Sequence, residues 1–266
     1  MEKYGLLGKN LGHSLSPFIH SILFEISGIK AEYKLYEADS VKAFIENDYK
    51  LSGFNITIPY KKEIVPFCTS LNSSATDLGV VNCVDSHMVG YNTDVYGYRE
   101  SVSEIESDFS CKTLLLGCGG VGSMIAQQYK SDNLWIAIRN ITNEKICNLE
   151  NSYKGARVVD IDNIPDTGFD LIVNSTPVGM FPNINQSPVS ERVVSNSKAV
   201  YDTIYNPYNT KLLQYAKELG KKQKNGLDML VLQAVKSHEY WYGGKFAEND
   251  IAEIIRLTEK ELEKRK

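Results

Sequence analysis

Lys61 and Asp94 are the residues of this 266-residue chain best suited to moving a proton. Lys61 closes the run Asn55-Ile56-Thr57-Ile58-Pro59-Tyr60-Lys61, and Asp94 closes Asn92-Thr93-Asp94. A lysine and an aspartate facing one ligand can pair, hold a hydroxyl group and pass a proton to it. A third polar run, Ser14-Leu15-Ser16-Pro17, offers two hydroxyl groups near the N-terminus. Singly, each residue has an ordinary structural use. Ser16 can cap a helix, Asp94 can cap a helix through Val95–Val102, and Lys61 beside Lys62 can simply be solvated. Their combined placement argues for more. Period-2 alternation puts Asn55 and Thr57 on one side of a strand, with Lys61 emerging at its carboxyl end. Open α/β sheets bind ligands at those ends.

A second kind of chemistry is offered by Gly117-Cys118-Gly119-Gly120-Val121-Gly122. The run matches G-x-G-x-x-G and lies between a strand and a helix. Such glycines allow a tight turn and bring backbone N–H groups up to a pyrophosphate. The same run could also be a tight turn that binds nothing. After the next strand the sequence reads Ala137-Ile138-Arg139-Asn140, with no acid to accept a ribose 2′-hydroxyl. Arg139 can instead pair with a 2′-phosphate by charge-assisted hydrogen bonds, which favours NADP over NAD. Otherwise it is a solvated arginine at a strand end.

These residues need elements to position them. Tyr4–Leu7, Tyr33–Tyr36 and Phe54–Ile58 read as strands, and Ser16–Ile29 as a helix with Ser16 at its N-cap and Gly28 near its end. A further helical stretch is expected after Pro59, and a hairpin from Val80–Asp85 and Met88–Tyr91. Beyond Cys111 the strand runs Thr113–Leu116, Leu134–Ile138, Ala156–Val159, Phe169–Val173 and Ala199–Tyr201 imply a doubly wound nucleotide-binding unit, with a helix from about Val121 to Lys130. In the tail, Ile251–Lys266, the residues Ile251, Ile254, Ile255, Thr258 and Leu262 form one apolar stripe, expected to dock on the first domain. The predicted fold class is thus α/β with two domains.

Composition narrows the function. Hydrophobic residues are 42% and charged residues 23%, which are globular proportions. A net charge of −4 with no basic run predicts no nucleic-acid partner and no anionic membrane surface. No segment reaches the roughly 20 apolar residues of a membrane span. Five scattered cysteines without CxxC, and four unclustered histidines, argue against a disulfide framework or a metal site and point to a cytoplasmic protein.

Taken together the motifs resemble the shikimate dehydrogenase family over nearly the whole chain. The resemblance rests on Ser14-Leu15-Ser16-Pro17, Asn55 to Lys61, Val81-Asn82, Asn92-Thr93-Asp94, the glycine run, Asn174-Ser175-Thr176-Pro177-Val178-Gly179-Met180, Tyr205-Asn206-Pro207 and Gly226 to Gln233, all in register. It implies a substrate-binding catalytic domain at 1–103, completed by 227–266, and a Rossmann-type NADP-binding domain at 104–226. It implies reversible NADPH-dependent reduction of 3-dehydroshikimate to shikimate, in chorismate and aromatic amino acid biosynthesis, by a monomer or homodimer.

The same resemblance implies residue roles. Lys61 and Asp94 are the catalytic pair. Ser14, Ser16 and Tyr205 hold the substrate carboxylate. Thr57, Asn82 and Gln233 bind ring hydroxyls or help place the catalytic pair. Gly117, Gly119, Gly120, Val121, Gly122, Arg139, Thr176, Gly226 and Met229 bind NADP(H). Two departures stand out. A second basic residue usual after Arg139 is missing in register, with Lys145 a late substitute. Asp228 stands where a small residue or proline is usual, near the expected nicotinamide end. The alternatives are an NAD-using quinate/shikimate dehydrogenase and a non-catalytic sensor on the same fold. A sensor would be expected to have lost the lysine–aspartate pair.

Overall fold

The computed structural model describes residues 1–47 and 49–265, so Lys266, the last residue of the predicted tail, lies outside the described residues. In chain order the first elements are β1 (Glu2–Gly8), α1 (Ser16–Ser27), β2 (Ala31–Glu37), α2 (Val41–Glu46), β3 (Gly53–Ile56), β4 (Ser70–Leu71), α3 (Ser73–Thr76), β5 (Cys83–Asp85), β6 (Val89–Tyr91) and α4 (Asp94–Ser103). Then come β7 (Thr113–Leu116), α5 (Gly120–Ala126), β8 (Leu134–Ile138), α6 (Asn143–Ser152), β9 (Arg157–Asp160), β10 (Phe169–Asn174), α7 (Glu191–Ser195), β11 (Ser197–Asp202), α8 (Lys211–Glu218) and β12 (Lys222–Lys224). The chain closes with α9 (Leu227–Tyr242) and α10 (Glu248–Lys264). It divides into two compact units, one of Met1–Gly97 with Met229–Lys266 and one of Tyr98–Asp228.

The first unit holds a six-stranded sheet in the order β2-β1-β3-β5-β6-β4. β1 is parallel to both β2 and β3, while β5 runs antiparallel to β3 and β6. This arrangement gathers the carboxyl ends of β1, β3 and β6 and the start of β5 on one edge, where every polar run of the first hundred residues emerges. Leu7, Phe54, Ile56, Ile64, Val81 and Val84 are buried together and make the sheet's core rigid. Burial of such side chains is worth about 1.5–3 kcal/mol each. α10 packs on α1, burying Ile254, Thr258 and Leu262 from its apolar stripe.

Several local expectations are corrected. Ser16 is the first residue inside α1, not its cap: Leu15 holds the N-cap position and no side chain caps the helix. The expected C-terminal glycine is there, with Gly28 at φ 70°. α4 starts at Asp94 itself, and Asn92 caps it, its Oδ1 accepting the Val95 N–H at 3.3 Å. β3 stops at Ile56, and the stretch after Pro59 is a set of turns with one 3₁₀ turn at Val65–Phe67. α5 ends at Ala126, short of Lys130.

The second unit's sheet runs β12-β11-β10-β7-β8-β9, with every pairing parallel. Counting strands within the unit, this is the 3-2-1-4-5-6 order of dinucleotide-binding folds, and it reverses between β7 and β10. β7 and β10 are almost continuously buried, as parallel strands covered on both faces must be. Their side chains Leu114, Leu116, Phe169 and Ile172 join Val200, Leu212 and Leu213 in one core.

Candidate active site

In the first unit, Lys61 and Asp94 meet. Lys61 lies in the turn after β3, and Asp94 opens α4. The Lys61 Nζ donates to Asp94 Oδ2 at 2.6 Å, with side chains 23% and 16% exposed. The pair is thus partly sheltered and still open to a ligand. A carboxylate in the first turn of a helix also interacts favourably with the helix dipole.

Asp94 is held by the residues before it. Asn82, almost fully buried, donates its side-chain N–H to Thr93 Oγ1 at 2.9 Å and accepts the Thr93 backbone N–H on Oδ1 at 2.7 Å. Thr93 in turn reaches Gln233 Oε1 at 3.5 Å and shares a 3.2 Å hydrogen bond with the Ser237 hydroxyl on α9. Ser237 accepts from Asn55 Nδ2 at 2.8 Å, and Asn55 Oδ1 accepts the Tyr33 phenol at 2.9 Å. A continuous polar chain therefore runs from Tyr33 to Thr93. Tyr33 and Ser237 are neighbours of this network that sequence reasoning did not name, and Asn55 and Thr93 entered it only as members of their polar runs. Their signal is polarity at buried positions, which requires partners.

The other predicted residues of this unit fall on the same edge. The Ser14 hydroxyl accepts the Ser16 N–H at 3.2 Å, and Arg265 donates to the Ser14 carbonyl at 3.1 Å. The Thr57 N–H is bonded to Leu7 O at 2.8 Å, which fixes the chain leaving β3 against the end of β1. A Cβ on Gly8 would lie 2.5 Å from the Thr57 methyl, so glycine is required for this close approach. Gln233 donates back to Leu230 O at 2.8 Å. Met229 lies in the first turns of α9.

In the second unit, the glycine turn joins β7 to α5 at the point where strand order reverses. Gly117 has φ 83°, a conformation side chains disfavour, and a Cβ on Gly122 would sit 2.7 Å from Gly117 O. Gly119 and Gly120 are exposed, with no atom within 4 Å of where a Cβ would be. Burial pushes the Cys118 thiol up, so it is neutral at physiological pH. Thr176 follows β10 beside this turn: a Cβ on Gly117 would meet the Thr176 methyl at 2.7 Å. Arg139 stands exposed just past β8, and it ion-pairs with no carboxylate among the described residues. Lys145 donates to Asn140 O at 2.9 Å, which keeps a second cation at that strand end.

Gly226 packs against the turn after β11, where a Cβ would lie 2.1 Å from Thr203 O. Tyr205 lies in that turn, directly after buried Ile204. Asp228 does not present a free carboxylate: Lys224 binds it at 2.6 Å while also binding Glu104 at 2.6 Å. The buried Asp202 carboxyl is raised to about 6 by burial, against hydrogen bonds from Thr210, Ile204 and Asn174. Among the described residues no cluster of His, Cys, Asp or Glu could hold a metal ion, and no helix is long and apolar enough to cross a membrane.

Residues 6–84 match the family described as shikimate dehydrogenase substrate binding domain. The chain is 35% identical to a protein of Caldicellulosiruptor bescii named shikimate dehydrogenase (NADP(+)), over 98% of this chain and 96% of that one. A chorismate mutase/shikimate 5-dehydrogenase fusion protein from Clostridium acetobutylicum superposes with a TM-score of 0.89 at 33% identity, covering 99% of each chain. A shikimate 5-dehydrogenase from Thermus thermophilus, solved with NADP(H) and shikimate, superposes with a TM-score of 0.82 at 27% identity, covering 97% of this chain and 100% of that one.

Proposed function

The chain belongs to the shikimate dehydrogenase family, and from that premise we propose that it catalyses the reversible NADPH-dependent reduction of 3-dehydroshikimate to shikimate. The observation that carries this reading is the 2.6 Å Lys61–Asp94 pair at the sheet edge where the hydroxyl-bearing runs converge. A folded relic without activity would have no need to keep that pair sheltered and in register.

The first unit, with 1–103 and 227–266 as its outline, is the substrate domain, and 104–226 is the cofactor domain. Ser14, Ser16 and Tyr205 supply three hydroxyl groups for the substrate carboxylate. Thr57 and Gln233 face its ring hydroxyls. The Asn82 amide is spent on both polar groups of Thr93, which supports a role in placing Asp94. The residues present fit a dinucleotide: a positive-φ glycine, two uncovered glycines and a helix start lie at the switch point of a parallel sheet. Gly117, Gly119, Gly120, Val121 and Gly122 would cradle the pyrophosphate. Thr176, Gly226 and Met229 would border the nicotinamide end, and Arg139 would take the 2′-phosphate. When bound, NADPH supplies the hydride for the substrate's ring carbonyl.

The protein's own part is orientation and proton supply. Asp94 aims the Lys61 ammonium, whose charge stabilises the oxyanion that develops at the carbonyl oxygen. A proton from Lys61 Nζ then completes the hydroxyl group, and in the reverse direction Lys61 accepts it. Asp228, tied to Lys224, is not a free carboxylate. The setting is a cytoplasmic enzyme, monomeric or homodimeric, in the route to chorismate.

The test is product identity. Purified protein, NADPH and 3-dehydroshikimate should yield shikimate in a 1:1 ratio to the NADPH consumed, measured by chromatography. Absence of shikimate from an incubation with folded protein would sink the assignment.

A further inference from the structure

Asp202 closes β11 with no exposed surface, and its carboxylate collects donors from three separate segments. Asn174 Nδ2, at the end of β10, donates to Oδ1 at 2.9 Å. The Ile204 backbone N–H donates to Oδ1 at 3.1 Å, and the Thr210 hydroxyl, which caps α8, donates to Oδ2 at 2.6 Å. No cation pairs with Asp202 among the described residues. A buried carboxylate without a cation is costly, and three donors are what make it tolerable.

The arrangement also has a direction. Because Asn174 gives its N–H to Asp202, its carbonyl oxygen must point the other way. That oxygen accepts both polar groups of Thr176, the N–H at 3.0 Å and the hydroxyl at 2.7 Å. Ile204, the second backbone anchor, immediately precedes Tyr205. An alanine at position 202 removes both acceptor oxygens, so the Asn174 amide and the Ile204 N–H lose the partner that orients them.

We propose that Asp202 is a positioning residue that sets two ligand contacts at once: through the Asn174 amide it aims Thr176 at the cofactor, and through the Ile204 N–H it holds Tyr205 toward the substrate carboxylate. The proposal rests on the reading above that gives Thr176 to the cofactor and Tyr205 to the substrate. It goes beyond that reading by making one carboxylate, itself touching neither ligand, govern affinity for both.

Steady-state kinetics on four variants test it. Asp202→Ala should raise KM for NADP and for shikimate together, each about tenfold, the size of one lost hydrogen bond to a charged group. Its kcat should stay within about threefold of wild type, because the proton-transfer pair lies in the other unit. Thr176→Val should raise KM for NADP alone, and Tyr205→Phe that for shikimate alone. In Thr176→Val/Asp202→Ala the rise in NADP KM should be well below the product of the two single effects, because both act through one contact. A folded Asp202→Ala with a lower melting temperature and both KM values unchanged would overturn the proposal, as would fully multiplicative effects. Should Asp202→Ala fail to fold, Thr210→Val removes the 2.6 Å donor while keeping the carboxylate. It should raise both KM values by about two- to threefold, and unchanged values would again refute the idea. If Thr176→Val and Tyr205→Phe leave both KM values untouched, the ligand roles themselves are wrong and the proposal falls with them.

Discussion

Replacing Lys61 by alanine should separate catalysis from binding, and its size can be worked out from the structure. A positioned general acid contributes about 10²–10⁴-fold, or about 3–5 kcal/mol of transition-state stabilisation. The ammonium is held at 2.6 Å from Asp94 with both side chains mostly covered, so little of that effect should be recovered by water. Turnover should therefore fall by about a hundredfold or more. The stability cost should be smaller. An exposed ion pair is worth up to about 1 kcal/mol and breaking a fully buried one costs about 3–5, so this partly covered pair belongs at about 1–2 kcal/mol. The helix start at Asp94 softens the loss further. Lys61→Arg sharpens the test, since arginine keeps the charge beside Asp94 but cannot give up its proton. Its stability should stay near wild type while turnover remains low. The assay is initial-rate kinetics by nicotinamide absorbance, with circular dichroism melts on the same samples. A folded Lys61→Ala protein with turnover within about threefold of wild type would refute the role given to this residue.

Three further outcomes follow from named contacts. Arg139→Ala should weaken NADP binding by about 1.5–3 kcal/mol and leave NAD binding nearly unchanged, because NAD has no phosphate there to lose; equal losses for both, by titration calorimetry, would remove Arg139 as the selector. Ser14→Ala should weaken shikimate binding by about 1–3 kcal/mol without moving cofactor affinity, and a parallel loss of both would contradict the carboxylate assignment. His20 packs among Phe24, Tyr33 and Trp241, and burial, helped by His238, lowers its pKa to about 3; burial likewise brings His238 to about 4. Both folded values lie below the unfolded value of about 6.5, so as pH falls from there toward 4 the unfolded chain takes up protons that the folded chain refuses. Stability should fall by on the order of 1 kcal/mol per pH unit per histidine. His20→Phe should flatten the decline between urea melts at pH 7 and pH 5, and an unaltered slope would argue against a neutral buried His20.

The parts of the site legible in sequence were those whose logic is local. The glycine run shows its turn and its close packing within six residues, and the missing acid near Arg139 is visible one strand later. The alternation around Asn55 and Thr57 placed Lys61 at a strand end even though β3 stops at Ile56. Contacts made over long separations were not legible. Asn82 with Thr93 spans 11 residues, Asn174 with Asp202 spans 28, and Asn55 with Ser237 spans 182. Asp228 stood out only as an unusual residue; Lys224, four residues earlier, binds it, and that lysine's second partner, Glu104, reaches it only through folding. The helix start at Ser16 was misjudged for a simpler reason. A serine before a proline suits a cap, but here Leu15 takes that position and Ser16 is buried inside the first turn, its N–H bonded to the Ser14 hydroxyl. Short strands such as β4 and β12 carry too few residues for any periodicity to show.

The most direct measurement is the reverse reaction with each cofactor in turn. Shikimate and NADP, mixed with the purified chain, should give a rising reduced-nicotinamide absorbance, and NAD at the same concentration should give a clearly slower one. No rise with either cofactor would contradict the assigned chemistry, and equal rates would contradict the selection of NADP by Arg139.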